Sequence, residues 1–282
     1  MIIDFHTHIL PPSFQRDLEA LRGRDATFAA LFSNKQQMAS AEELVTALDE
    51  DGVDAAVAVG YGWCDPTMAR KSNDYLLDSA RQHPGKIIPF CSVHPAWGDG
   101  ALAEIERCVA QGARGIGELH PTSQGIDLAA DPQMDGLMEL AERHSLIIMV
   151  HGSEPMGHTY PGKGGVTPEA LLTFAQRYPR NVIVCAHWGG GLPFYSLMPE
   201  VRDALTNVYF DSAATPFLYS PGVFPVAIRA AGAEHVLFAS DFPLVRPKRV
   251  LEQARESLEA AGMSSALDAV LHDNAARLLG LT

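Results

Sequence analysis

Near its start the chain reads HTH, which sets His6 and His8 two positions apart. Other apolar runs end in the same style, on a residue able to do chemistry. GELHP brings Glu118 and His120, MVHG brings His151, CAHW His187, YFDS Asp211, ASDFP Asp241, and SVHP His94. Six of the 11 histidines (His6, His8, His94, His120, His151 and His187) fall at such ends. On a strand, residues i and i+2 share a face, so His6 and His8 point the same way, spaced for two bonds to one metal ion. Neutral imidazole is the commonest ligand for zinc and its neighbours. His151 and Asp241 would add ligands from distant parts of the chain. Three histidines and one carboxylate leave a position for water, which describes a catalytic site rather than a closed structural one. The expected cofactor is a divalent metal, Zn2+ first, at one or two ions per chain.

Something must bring these ends together. The runs are Ile2–His6, Ala55–Val59, Ile87–Val93, Ala113–Glu118, Leu146–His151, Val182–His187, Val208–Asp211 and Val236–Asp241. They lack strict alternation, as strands buried on both faces do. Amphipathic segments separate them. Before the second, Ser40 and Glu43 form a capping box, Leu44, Val45 and Leu48 make one face, and Gly52 stops the helix. Before the sixth, Thr167 caps and Pro168 takes the first helical position. Eight strands alternating with helices predict an α/β fold, a (β/α)8 TIM barrel over residues 1–282, with chemistry at the C-terminal strand ends. A doubly wound open sheet uses the same alternation, but the strand count and the polar strand ends favour the barrel. The stretch 10–39 is long for a connection and reads as an insertion over the barrel mouth. The glycine-rich loop 152–166 is a second candidate lid. A last helix over about 264–279 is expected on the outside.

The 282 residues are 47% hydrophobic with a net charge of -13. That supports one large core and repels phosphate backbones, so no nucleic-acid partner is expected. No apolar run approaches the roughly 18 residues of a membrane helix. The start, MIIDFHTHIL, carries Asp4 where a secretory signal has its basic region. Cys64, Cys91, Cys108 and Cys185 form no CxxC and read as reduced thiols of a cytoplasmic protein. The expected partner is a small-molecule substrate; whether the chain forms a homo-oligomer stays open.

HTH at the first strand, histidines after the fifth and sixth, and Asp in SDFP at the eighth resemble the amidohydrolase superfamily, over nearly the whole barrel. VHGSEP, HWGGG and SDFP resemble its branch containing aminocarboxymuconate semialdehyde decarboxylase, which includes decarboxylases, hydratases, lactonases and hydrolases. That resemblance implies one metal on His6, His8, His151 and Asp241, with His187 acting beside it. Glu118 departs from the branch. It is similar to the GE motif of TatD-type hydrolases, where a Glu bridges two metals, and His94 in SVHP is reminiscent of the same group. This implies a binuclear set of His6, His8, Glu118, His151, His187 and Asp241, because a carboxylate between two cations offsets their repulsion. The bland alternative is a Glu that orients a ligand histidine.

Two chemistries follow. In hydrolysis of a C–O or C–N bond, a metal-activated water attacks, Asp241 takes its proton, and His187 stabilises the oxyanion or binds a second metal. Glu118 makes this the main expectation. The alternative is non-oxidative decarboxylation of a small unsaturated or aromatic acid, a carboxy-lyase reaction needing a cation for the substrate carboxylate. Arg16, Lys35, Lys163 and Arg246 are the candidates, Arg246 the nearest to Asp241 in sequence. A catalytically inactive binding barrel would need a broken site, and every metal position is filled. Trp63, Trp188, His158 and Tyr160 are expected to line the pocket.

Overall fold

The structure is a computed structural model that describes residues 1–32 and 37–281. Eight strands run β1 (Ile3–Thr7), β2 (Ala55–Ala58), β3 (Ile87–Cys91), β4 (Gly115–Leu119), β5 (Ile147–Val150), β6 (Ile183–Cys185), β7 (Val208–Asp211) and β8 (Val236–Leu237). Each pairs in parallel with the next, in the order β1 to β8. Every residue in them is buried, which explains why the runs read as apolar without alternation. The sheet curls back on itself. Phe5 N donates to Phe238 O, Asp241 N to His6 O and His8 N to Phe242 O, joining β1 to the segment after β8. The (β/α)8 barrel expected from the sequence is present.

Two layers fill it. Ile3, Phe5, Val57, Phe90, Met149, Val184 and Leu237 form an inner cluster. The strand β4 makes room for it with glycine: a Cβ on Gly115 would meet the Phe90 ring at 2.5 Å. Ala56, Ile116, Ile148, Cys185 and Phe210 instead pack with helix residues such as Leu44, Leu171 and Leu251. The helix Ala41–Asp51 starts on the expected capping box. Ser40 Oγ accepts from Glu43 N at 3.3 Å, Glu43 Oε2 accepts from Ser40 N at 2.7 Å, and Gly52 stops the helix at φ 68°. Such a cap stabilises by about 1 kcal/mol. Pro168 opens the helix Pro168–Arg177 as expected, but the Thr167 side chain makes no capping bond.

The insertion forms short helices Pro12–Arg16, Leu18–Arg22 and Ala26–Leu31. Phe14, Phe28 and Phe32 gather around Trp63 in a satellite core. Asp25 ties it to the loop after β2, its Oδ2 accepting from Cys64 N at 2.7 Å and Asp65 N at 2.8 Å. The C-terminal segment differs from the single outer helix expected. It breaks into a 3-10 turn (Ser264–Ala266), a π turn (Ala269–Asp273) and a helix (Asn274–Leu279). Ala275, Ala276 and Leu279 join the inner cluster, and Asn274 Nδ2 donates to Val236 O at 2.9 Å. The segment therefore closes the barrel at the N-terminal ends of its strands, the end remote from the polar residues. All four cysteines are free thiols. Among the described residues no helix is long and apolar enough to cross a membrane.

Candidate metal centre

The strands deliver the polar residues to one rim, where His6, His8, Glu118, His151, His187 and Asp211 are buried and Asp241 nearly so. His6 Nδ1 donates to Asp211 Oδ2 at 2.8 Å, and His8 Nδ1 donates to Val59 O at 3.2 Å. Both rings therefore turn an Nε2 lone pair inward, and the two Nε2 atoms stand only 3.0 Å apart. Two facing lone pairs repel unless a proton or a cation lies between them. Asp241 Oδ1 lies 3.4 Å from His8 Nε2 and 4.0 Å from His6 Nε2. These three residues offer ligand atoms within 4.8 Å of one another. His151 gives Nδ1 to Glu118 Oε1 at 2.9 Å, and its buried Nε2 has no partner among the described residues. An imidazole held from one nitrogen and open at the other is the usual state of a metal-ligating histidine. His6, His8 and Asp241 fit a divalent cation, and His151 shares a neighbouring group with Glu118 and His120.

Glu118 is the hub. Its Oε2 lies 3.6 Å from His6 Nε2, 3.7 Å from His8 Nε2 and 3.0 Å from His120 Nε2, the last without hydrogen-bond alignment. Its Oε1 lies 3.4 Å from His187 Nε2. Burial alone would protonate this carboxyl, but His120, His6 and His151 hold it well below the ordinary carboxylate range. Burial works against a charged His187, yet Glu118 and Asp241 outweigh it and raise its pKa to about 9. His6 is likewise raised by Asp211 and Glu118 against burial. The carboxylates of this floor thus draw positive charge toward themselves, as protons or as a cation.

Backbone geometry explains two reaches that strand periodicity could not foresee. His187 (φ 57°) and Asp241 (φ 69°) have left-handed backbone, beyond the ends of β6 and β8. Such conformations are uncommon for residues other than glycine and cluster at functional sites. Asp211 accepts from His187 N at 2.8 Å as well as from the His6 ring, so one buried carboxylate sets the His6 ring and the His187 backbone. Asp211→Asn should weaken metal affinity about 10- to 100-fold in a competition titration while leaving the fold intact. Unchanged affinity would show that His6 needs no such partner.

A cavity of about 490 Å³ opens over this floor. His158 and Tyr160 line it, with Leu31, Phe32 and Gln37 from the insertion region and Phe217 and Leu244 from later loops. Three expectations, for Trp63, Trp188 and Arg246, are corrected. Trp63 is fully buried in the satellite core. Trp188 is fully buried against Phe224 and donates to Thr215 Oγ1. Arg246 pairs with Asp51 at 2.7 Å and Glu50 at 2.9 Å, away from the cavity. His94 caps a 3-10 turn and bonds Gln124 O at 2.8 Å. Lys163 holds the carbonyls of Met156 and His158, Arg16 is exposed, and Lys35 lies outside the described residues. Among the described residues no Lys or Arg lines the cavity. Sequence reasoning passed over Tyr61, which stacks on His8 at 4.0 Å, and gave little weight to His120, which stacks on His151 at 4.7 Å. Only the adjacency of His120 to Glu118 in GELHP could have signalled it.

A family model described as amidohydrolase matches residues 3–281. No curated protein matches the sequence. The structure is similar to 5-carboxyvanillate decarboxylase from Novosphingobium aromaticivorans, solved with manganese and 4-hydroxy-3-methoxy-5-nitrobenzoic acid. That match has 17% identity, covers 100% of this chain and 96% of the other, and has a TM-score of 0.76. It is similar to 2,6-dihydroxybenzoate decarboxylase from Rhizobium at 17% identity, covering 99% and 98%, with a TM-score of 0.73. A protein described as a probable 2-pyrone-4,6-dicarboxylic acid hydrolase from Acinetobacter baumannii matches at 15% identity, covering 99% of each chain, with a TM-score of 0.65.

Proposed function

The chain belongs to the amidohydrolase family, and from that premise we propose that it is a metal-dependent enzyme that decarboxylates a small unsaturated or aromatic acid without redox chemistry. One observation carries the reading: the cavity is polar only toward its floor and rim and apolar along its walls. Leu31, Phe32, Phe217, Leu218 and Leu244 form those walls, and His8, His151, His187 and Asp241 the floor. A flat apolar body fits the walls while its carboxylate meets the floor. The decarboxylases of similar fold support the choice over hydrolysis, the main expectation from sequence.

In this reading His6, His8, His151 and Asp241 hold a divalent cation of the Zn2+ or Mn2+ kind. When bound, such a cation supplies a Lewis acid that orients and polarises a substrate oxygen. An apolar body packed on the walls would keep bulk water from the floor, which favours departure of the carboxylate as neutral CO2. The C–C bond breaks, its electron pair stays on the substrate carbon, and that carbon takes a proton from His187 Nε2. His187 Nδ1 is fixed by Ala213 O at 3.3 Å, which aims Nε2 at the floor. Asp211 and Glu118 hold His6 and His151 in their tautomers. Glu118 favours one second reading. A carboxylate facing His6 and His8 with one oxygen and His187 with the other could bridge two metals and support hydrolysis, with Asp241 as base.

The test is to incubate manganese- or zinc-loaded protein with a panel of hydroxybenzoic acids in deuterium oxide. The expected result is CO2 with one deuterium at the vacated carbon of the product. No CO2 release, with turnover of lactones or amides, would replace decarboxylation by hydrolysis.

A further inference from the structure

Among the described residues no Lys or Arg lines the cavity, so beside a bound metal and His187 a neutral donor at the floor would add to what reads a substrate carboxylate. Tyr61 stands where that is needed. It follows β2, lines the cavity, and its ring lies flat on His8, 4.0 Å between centroids and 9° between planes. Its hydroxyl has no hydrogen-bond partner among the described residues, whereas other tyrosines near the mouth are committed: Tyr160 donates to Glu154 at 2.9 Å. The phenol lies within electrostatic reach of Asp241 and Glu118, the two carboxylates of the floor. A phenolic O–H left unpaired at a partly buried polar site is costly unless a ligand or water takes it.

The local sequence holds this ring in place. A Cβ on Gly60 would meet Ser92 Cβ at 2.7 Å, and one on Gly62 would meet His120 N at 2.7 Å. The loop is thus pressed against the ends of the next two strands on either side of Tyr61. Ser92 Oγ donates to Tyr61 O, and Phe32 closes on the ring edge at 5.2 Å. Rigid backbone, a stacked ring and a free hydroxyl are what a preorganised hydrogen-bond donor requires.

We propose that Tyr61 contacts the substrate directly, donating a hydrogen bond from its hydroxyl to a substrate carboxylate held at the floor beside His8. This rests on the cavity being the substrate site and not on which bond is broken. The donor adds to the metal and His187 at the floor and selects for acids with one carboxylate at the floor end and an uncharged, apolar remainder. A second anionic group placed against the walls would meet Phe32, Phe217 and Leu244.

The experiment uses manganese-loaded protein, wild type against Tyr61→Phe, titrated calorimetrically with benzoate and with benzyl alcohol. A hydrogen bond to a charged group predicts that benzoate affinity falls about 10- to 100-fold in Tyr61→Phe. Benzyl alcohol affinity, metal content and unfolding midpoint should stay unchanged, since the stacked ring remains. Equal benzoate affinity in the two proteins, or no benzoate binding by the wild type, would overturn the proposal. So would loss of metal in Tyr61→Phe, which would make Tyr61 a support of His8 alone. A loss of benzoate affinity in the variant, in a protein that releases no CO2 from any hydroxybenzoate, would uphold Tyr61 and reject decarboxylation.

Discussion

His8→Ala is expected to leave the protein folded, largely without metal, and about 1,000-fold or more less active. The ring it removes supplies one of two Nε2 lone pairs 3.0 Å apart and the nearest nitrogen to Asp241. A Lewis-acid metal is worth several kcal/mol of transition-state stabilisation, and each 1.36 kcal/mol is tenfold in rate. His6→Ala and Asp241→Ala should behave alike, because each deletes one member of the same cluster. The three effects should not add, since losing any one ligand already forfeits the same ion. Elemental analysis of the purified variants, beside thermal unfolding to show that each is folded, measures this directly. Wild-type metal content in all three would remove the metal site from these residues.

Glu118→Gln should lower metal affinity about 10- to 100-fold at an unchanged stoichiometry near one. The expectation follows from its contacts: Oε1 accepts from His151 Nδ1 at 2.9 Å, and Oε2 sits 3.0 Å from His120. A carboxylate so placed orients His151 and raises its basicity, and an amide of the same shape does both less well. Bridging predicts another outcome. The wild type would then take two ions, and the variant would lose the second, because two close cations would be left without the anion between them. Zinc titration of the metal-stripped proteins reads the difference. Two ions in the wild type and one in the variant would move the preference to hydrolysis.

The reach of sequence reasoning can be traced residue by residue. His6 and His8 were readable because a strand's period of two fixes their common direction before any fold is known. The strand Val208–Asp211 and the helix stop at Gly52 were readable because burial and capping act locally. The runs through His187 and Asp241 extended too far, because left-handed backbone leaves no periodic signature. Trp63 and Tyr61 lie two positions apart in one loop, and only packing against a distant insertion decides which faces the cavity. Arg246 looked near the chemistry by position, but Asp51, 195 positions away, draws it off. The last segment's small residues gave no sign that they meet Ile3 and Phe5 inside the barrel.

The seam where β1 meets the segment after β8 joins residues from opposite ends of the chain: Asp4 accepts from Ser240, 236 positions apart. His6 and His8 lie on one side of it and Asp241 on the other, linked by Asp241 N to His6 O. An ion held by all three is therefore a cross-link as well as a cofactor. Closing a loop of that length by flexible-chain reckoning involves about 5 kcal/mol of chain entropy, and ion binding in the native state offsets part of it. Stability and catalysis then share one set of ligands. Chelation should loosen the ring at this joint before any other, and amide hydrogens along β1 should be the first to exchange faster.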